Sequence, residues 1–276
     1  MAVLRLPGRC APLVLLVATA LGVGLEPGQS AGLPLPEIAP PKEISAIVRE
    51  IEVPPLFPTP PLPTPLDRRA FPAAALAGYE PDVSIDVIRK PENAEMYALR
   101  LAALDAIEVV RGIWEKYRLV IRTEFSGEPT DEVKKTITEE QKEMSRAILK
   151  LEAAVNRLEK VREKREDETK RWQATFDYAL ALARSRLIFM QEYNLVLGQI
   201  RKENLPPLDP KKGRPVYRLT ASDTIQSGGD TRRLADRTER LLDRIKKEHA
   251  NTPWAAAAKL DRAIPPGLEW VAVKSK

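Results

Sequence analysis

Between residues 92 and 203 apolar side chains recur with a period close to 3.5. Leu99, Ala103, Ala106, Val110, Ile113, Tyr117 and Val120 step alternately by four and three. Met144, Ile148, Leu151, Val155 and Leu158 repeat that step, and Phe176, Leu180, Ala183, Leu187, Met190, Asn194 and Leu197 continue it. Spacing sustained in this way predicts long helices packed as in a coiled coil rather than an isolated surface helix. One proline, Pro129, and three glycines interrupt these 112 residues. Pro91 suits a first helical turn. Gly127 suits a left-handed C′ position, and Pro129 blocks continuation. Thr130 is placed to cap the next helix, with Asp131 and Glu132 meeting its positive end, and Asn204, Pro206 and Pro207 end it. The expectation is a first helix over 93–125, about 50 Å long, and a second over 131–203, about 110 Å if unbroken, lying antiparallel across a short loop.

The stripe lapses at Arg162, Arg165 and Thr169, inside a run from Glu159 to Arg171 in which 11 of 13 residues are charged. Opposite charges fall four apart (Arg162/Glu166, Lys164/Glu168, Glu166/Lys170, Asp167/Arg171), each supporting an exposed helix by about 0.2–0.5 kcal/mol. The run therefore reads as a solvated helical bridge. The alternative is a reversal that folds the last third back into a three-helix bundle, although no glycine or proline marks one. Beyond it, Trp172, Phe176, Leu180, Leu187 and Met190 share one face, while Leu182, Phe189 and Val196 repeat at seven on another. A helix apolar on two faces needs two partners. The second is the C-terminal segment or another protein, and Trp172, Phe176, Leu187 and Met190 are the candidate surface for a protein partner or for self-association.

Residues 205–230 read as an irregular connection with a short extended piece at Val216-Tyr217-Arg218-Leu219. Thr231 to His249 is amphipathic through Leu234, Leu241, Leu242 and Ile245. Thr252-Pro253 is a cap followed by proline at the first helical position, and a second, alanine-rich helix ends before Pro265-Pro266-Gly267. The fold class expected is all-α: a long antiparallel helical hairpin over 91–204 plus a C-terminal helical hairpin and tail over 231–276.

Ahead of these, residues 13–25 form an uncharged apolar run behind Arg5 and Arg9. At about 20 Å it is too short for a span of about 30 Å and suits a signal peptide core. Ala18-Thr19-Ala20 is a cleavage pattern and Ser30-Ala31-Gly32 a weaker one, so 1–32 is assigned as signal peptide and the protein as exported, periplasmic or extracellular. Cys10 would leave with that peptide, and it precedes the apolar core, which argues against a lipoprotein. From Pro34 to Pro81 there are 13 prolines in 48 residues. Proline fixes φ and removes a donor, so 33–90 is expected to be a mostly disordered, semi-rigid spacer, with Ile44, Ile47, Val48 and Ile51 on one face of a short amphipathic turn.

Composition narrows the chemistry. With one histidine and one cysteine in 276 residues, zinc sites of the Cys/His kind lack ligands. The net charge of +5 falls to +3 or +4 once the leader is removed, too mild to signal nucleic acid. No nucleophile elbow, Walker A, G-x-G-x-x-G, H-E-x-x-H or EF-hand loop is present. His249, in the last turn of its helix, suits a structural role because a cation favours that end of the dipole. No residue is assigned a catalytic, cofactor-binding or metal role, and no cofactor is expected.

The helix, the Thr252-Pro253-Trp254-Ala255 turn and the alanine-rich helix resemble a single tetratricopeptide-type hairpin over about 33 residues. The fuller string from Glu248 to Ala255, with Gly267-Leu268-Glu269-Trp270 after it, resembles the tail of a group of uncharacterised exported bacterial helical proteins. There the tail tends to read His-Pro-Gly-Thr-Pro-Trp-Ala, whereas Ala250 and Asn251 stand here for the Pro-Gly. Tyr193 to Gly198 and Leu205 to Pro210 also fit that group. The resemblance implies an exported, helical, non-enzymatic protein and no known activity. Three functions follow, in this order: a non-enzymatic structural or interaction scaffold of the cell envelope, a binder of anionic polymer or membrane surface, and a carboxylate-dependent envelope hydrolase. The second rests on 15 Lys/Arg against 9 Asp/Glu from Leu205 to Lys276.

Overall fold

The computed structural model describes residues 71–117, 121–207 and 216–273. The leader, its cleavage patterns and the proline-rich segment up to residue 70 lie outside the described residues, as do Val120 and the side chain of Tyr117. Seven α-helices are described: α1 (Ala73–Leu76), α2 (Ile85–Ile88), α3 (Ala98–Tyr117), α4 (Asp131–Lys160), α5 (Lys170–Arg201), α6 (Gly229–Glu248) and α7 (Pro253–Arg262). Three strands accompany them: β1 (Glu124–Ser126), β2 (Val216–Ser222) and β3 (Gly267–Val273). Helix accounts for 67% of the described residues, so the chain is mostly helical, roughly as the all-α expectation has it, with one small three-stranded sheet in addition.

The second long helix is two helices. α4 stops at Lys160, residues Arg162–Asp167 form a 3₁₀ turn, and α5 restarts at Lys170 in the opposite direction. Contacts fix the antiparallel register: Lys134 Nζ to Glu203 at 2.5 Å, Gln141 Nε2 to the Asn194 carbonyl at 2.9 Å, and Arg184 to Glu159. The charged run is therefore the corner of a bundle, not a solvated bridge. No residue from 161 to 169 has a positive φ, so the reversal is built from 3₁₀ and extended backbone that any residue adopts and requires no glycine. Glu168 and Thr169 are extended and Thr169 is the N-cap residue of α5.

α5 is the central helix, with 23 of its 32 residues buried. α3 and α4 cover one side. α6 runs antiparallel to α5 on the other, tied by Arg244 to Asp177 at 2.6 Å and by Thr231 to Gln191 at 3.0 Å. Trp172, Phe176, Leu187 and Met190 are all buried inside the chain. The partner of the two-faced helix is thus the chain's own remainder, and the docking surface expected there is internal. The C-terminal hairpin belongs to the same hydrophobic core as the three long helices.

The first helix is also shorter than expected. α3 ends at Tyr117, and Phe125 lies in β1, where its ring stacks on Tyr217 at 6.2 Å. β2 pairs antiparallel with β1 and with β3, so the extended piece at 216–219 is the start of the middle strand of a sheet. The sheet packs on α5, where Trp270 Nε1 donates to the Val196 carbonyl at 2.9 Å. A Cβ on Gly267 would lie 2.1 Å from the Thr224 carbonyl oxygen, so only glycine fits where β3 begins. Glu192, fully buried, accepts from the backbone N–H groups of Gln226, Ser227 and Leu268 and fastens the β2–α6 loop and β3 to α5.

Residues 71–90, expected within the mostly disordered spacer, pack against the bundle. Tyr79 and Ile88 are buried, and the Tyr79 ring stacks on Trp254 with centroids 5.5 Å apart. Asp82 accepts from Trp172 Nε1 at 3.2 Å and pairs with Arg100 at 2.7 Å. Among the described residues no helix is long and apolar enough to cross a membrane.

Candidate anion-binding pocket

The reversal at 161–169 brings the corner of the α4–α5 hairpin against α6, and two charged clusters form there. The first is closed. Asp177, fully buried, receives Arg165 through Nε and Nη2 at 2.8–3.1 Å and Arg244 through Nη2 at 2.6 Å. Arg165 also reaches Glu248 at 2.5 Å and Glu166 at 2.7 Å. Burial opposes the Arg165 charge, but the hydrogen bonds and charge of Asp177 overcome it and raise the guanidinium pKa, with Glu166 and Glu248 adding to the effect. A buried pair satisfied on both sides is stable as found and costly to break.

His249 sits beside this cluster at the C-terminal end of α6. Its Nδ1 lies 2.8 Å from the Tyr79 hydroxyl, and its carbonyl accepts from Thr252 Oγ1 at 2.6 Å. Burial lowers its pKa; Asp177 and Glu248 oppose that, while Arg165 and Arg244 support it. The lowered pKa favours the neutral ring, and the helix-dipole role expected for a charged His249 gives way to a packing role against Tyr79. One ligand atom each from Asp177, Glu248 and His249 lies within 4.8 Å of the others. Two guanidinium groups already occupy Asp177 and one of them Glu248, so the charge a divalent cation would need is neutralised internally.

The second cluster is open. α5 contributes Leu180 and Arg184, one turn apart; α6 contributes Arg237, Arg240, Leu241 and Arg244; the 3₁₀ turn contributes Arg162. Together they line a cavity of about 210 Å³ with five guanidinium groups and no carboxylate in its wall. Leu180 and Leu241 form an apolar floor. Glu159, at the end of α4, pairs with Arg184 and stands 3.8 Å from Arg162. Arg237 and Arg240 are exposed, and neither forms a salt bridge among the described residues. Burial lowers the Arg184 pKa; Glu159 opposes that, but Arg237 and Arg162 add their repulsion. The Nε groups of Arg184 and Arg244 are buried and find no acceptor among the described residues. A guanidinium remains charged at any ordinary pH, so the pocket is a positive field that the fold neutralises only in part, through Asp177 on Arg244 and Glu159 on Arg184 and Arg162.

A second cavity, about 50 Å³, lies between α5, α6, α7 and the turn before β3. It has room for a few waters at most, and Asp261 in its wall accepts from Tyr178 at 2.9 Å.

The only advance signal of the open pocket in the sequence was the basic excess after residue 205. Arg237, Arg240 and Arg244 share one face of α6 by spacing, but Arg162 and Arg184 reach them only through the reversal. No protein family matches the chain, and no curated protein or solved structure is significantly similar to it.

Proposed function

We propose that the protein is a non-enzymatic binding protein for anionic groups and that the arginine-lined pocket is its recognition site. The observation that carries this reading is the cavity of about 210 Å³ walled by five guanidinium groups with no carboxylate among its lining residues. Like charges brought together on a folded surface destabilise it unless something of opposite sign is bound. Arginine forks match oxyanions with two parallel hydrogen bonds. The leader-like run at 13–25 and the likeness of the tail to exported helical proteins support a place in the cell envelope. The compact packing of the C-terminal hairpin on α5 favours a ligand-binding body over the elongated scaffold that the heptads suggested.

Binding of a heterogeneous polyanion such as heparin to the full chain, at several salt concentrations, tests this reading. Binding that weakens steeply with salt and drops at least tenfold on Arg237→Ala/Arg240→Ala supports it. Binding that ignores both salt and that substitution overturns it.

A further inference from the structure

The pocket's size and the direction of its donors narrow the ligand further. Drug-sized ligands occupy cavities of roughly 300–1,000 Å³, so about 210 Å³ admits a compact group rather than a folded partner. A single carboxylate is already at hand: Glu159 holds Arg184 and lies near Arg162. A ligand with one planar carboxylate would only exchange for Glu159 and leave Arg237 and Arg240 unmatched. The guanidinium groups come from three elements, the 3₁₀ turn, α5 and α6, and so converge from different directions. Carboxylate oxygens accept chiefly in one plane, whereas a tetrahedral phosphoryl group presents oxygens on several sides and carries close to two charges. Arg184 supplies the anchoring donor: its side chain is 5% exposed and its Nε finds no acceptor among the described residues.

We propose that the arginine pocket takes a terminal phosphoryl group, a phosphomonoester or a diphosphate, seated above Leu180 and Leu241, anchored by Arg184 and closed by Arg237 and Arg240, with Glu159 as the resident competitor that the ligand displaces. The assignment rests on the anion-binding reading above and adds the chemical class. It makes one unusual demand: removal of an acidic residue next to the site must tighten binding, because Arg184 and Arg162 then lose their internal counter-charge.

Isothermal titration of the full chain with inorganic pyrophosphate, and with malonate at matched ionic strength, tests it. The expected result is 1:1 binding of pyrophosphate at least tenfold tighter than malonate, weakened about tenfold or more by Arg184→Ala and by the exposed rim change Arg240→Gln, and tightened severalfold by Glu159→Gln. Arg240→Gln keeps the test decisive if Arg184→Ala fails to fold. Titration with glycerol 3-phosphate and co-sedimentation with vesicles containing phosphatidic acid separate a soluble phosphoryl ligand from a lipid headgroup; binding of either through Arg240 supports the assignment. Malonate binding as tightly as pyrophosphate, with the same dependence on Arg240, overturns the phosphoryl assignment and leaves the anion reading standing. Absence of binding by both anions, together with heparin binding indifferent to the pocket arginines, overturns both.

Discussion

Asp177 and Arg184 stand two turns apart on α5, and the charge around them is resolved in opposite ways. At Asp177 two arginines meet a buried carboxylate, and Glu248 and Glu166 take up further donors of Arg165. The Arg165 pKa is raised there, so the fold favours the charge. At Arg184 five arginines line one cavity; Arg244 is taken by Asp177, and Glu159 is the one carboxylate that reaches Arg184 and Arg162, so the pKa is lowered by burial with Arg237 and Arg162 adding to it. The same residue type, in the same corner of the bundle, closes the structure in one place and leaves Arg237 and Arg240 without a salt bridge among the described residues in the other. Counting arginines does not separate these cases; counting the carboxylates within reach does.

The largest effect is expected from breaking the closed cluster. Asp177→Ala strands Arg165 and Arg244 against the core and should remove about 3–5 kcal/mol of stability, read as a lower urea midpoint at unchanged slope. Acid should loosen the same corner more gradually. The folded pKa of His249 lies below its ordinary value of 6.5. Below pH 6.5 the unfolded chain therefore takes up a proton that the folded chain does not. Stability from this group is present above that pH and is lost as pH falls toward the folded pKa, at up to about 1.4 kcal/mol per pH unit. His249→Gln should flatten the thermal midpoint between pH 7 and 5.5; an unchanged slope would show that the ring is not held neutral.

The open cluster should respond with the opposite sign. Arg184→Met keeps the aliphatic bulk and removes a charge that the fold disfavours, so stability should stay constant or rise by about 1 kcal/mol while anion binding is lost. Arg165→Met should lose stability. If both changes destabilise equally, the contrast between the two clusters is wrong and the arginines of the pocket are structural.

Much of this bundle was legible in the sequence, and the failures share a cause. Leu99, Ala103, Ala106, Val110 and Ile113 are buried as their spacing predicts, as are Met144, Leu151, Val155 and Leu158 and the double face of α5. Thr130 and Thr252 cap α4 and α7, and Pro253 opens α7. These are local signals, set by periodicity and capping chemistry. The reversal at 161–169 was missed because alternating charges at four-residue spacing look like an exposed helix, whereas here Arg165 turns inward to a carboxylate twelve residues later. Its one local mark was the loss of the stripe at Arg162, Arg165 and Thr169. β1 and β3 escaped because their pairing is non-local, with Leu219 and Trp270 in register fifty-one residues apart. The pocket inherits the same difficulty: its arginines come from positions 162, 184 and 237–244, and only the unread turn assembles them.

The smallest effect tests that turn most narrowly. Glu163 and Arg165 both lie in Arg162–Asp167, but Glu163 is exposed while Arg165 is 5% exposed. If the segment were a solvated bridge held by alternating charges, loss of any one acid would weaken it comparably. In a corner held by Arg165 on Asp177, an exposed acid contributes almost nothing, because surface charge interactions are screened and offset by side-chain entropy. Glu163→Ala should therefore leave the urea midpoint and pyrophosphate affinity unchanged within error at physiological salt. A clear loss of stability would mean that the charges of the turn act together, and that the corner is held by its surface as well as by its one buried arginine.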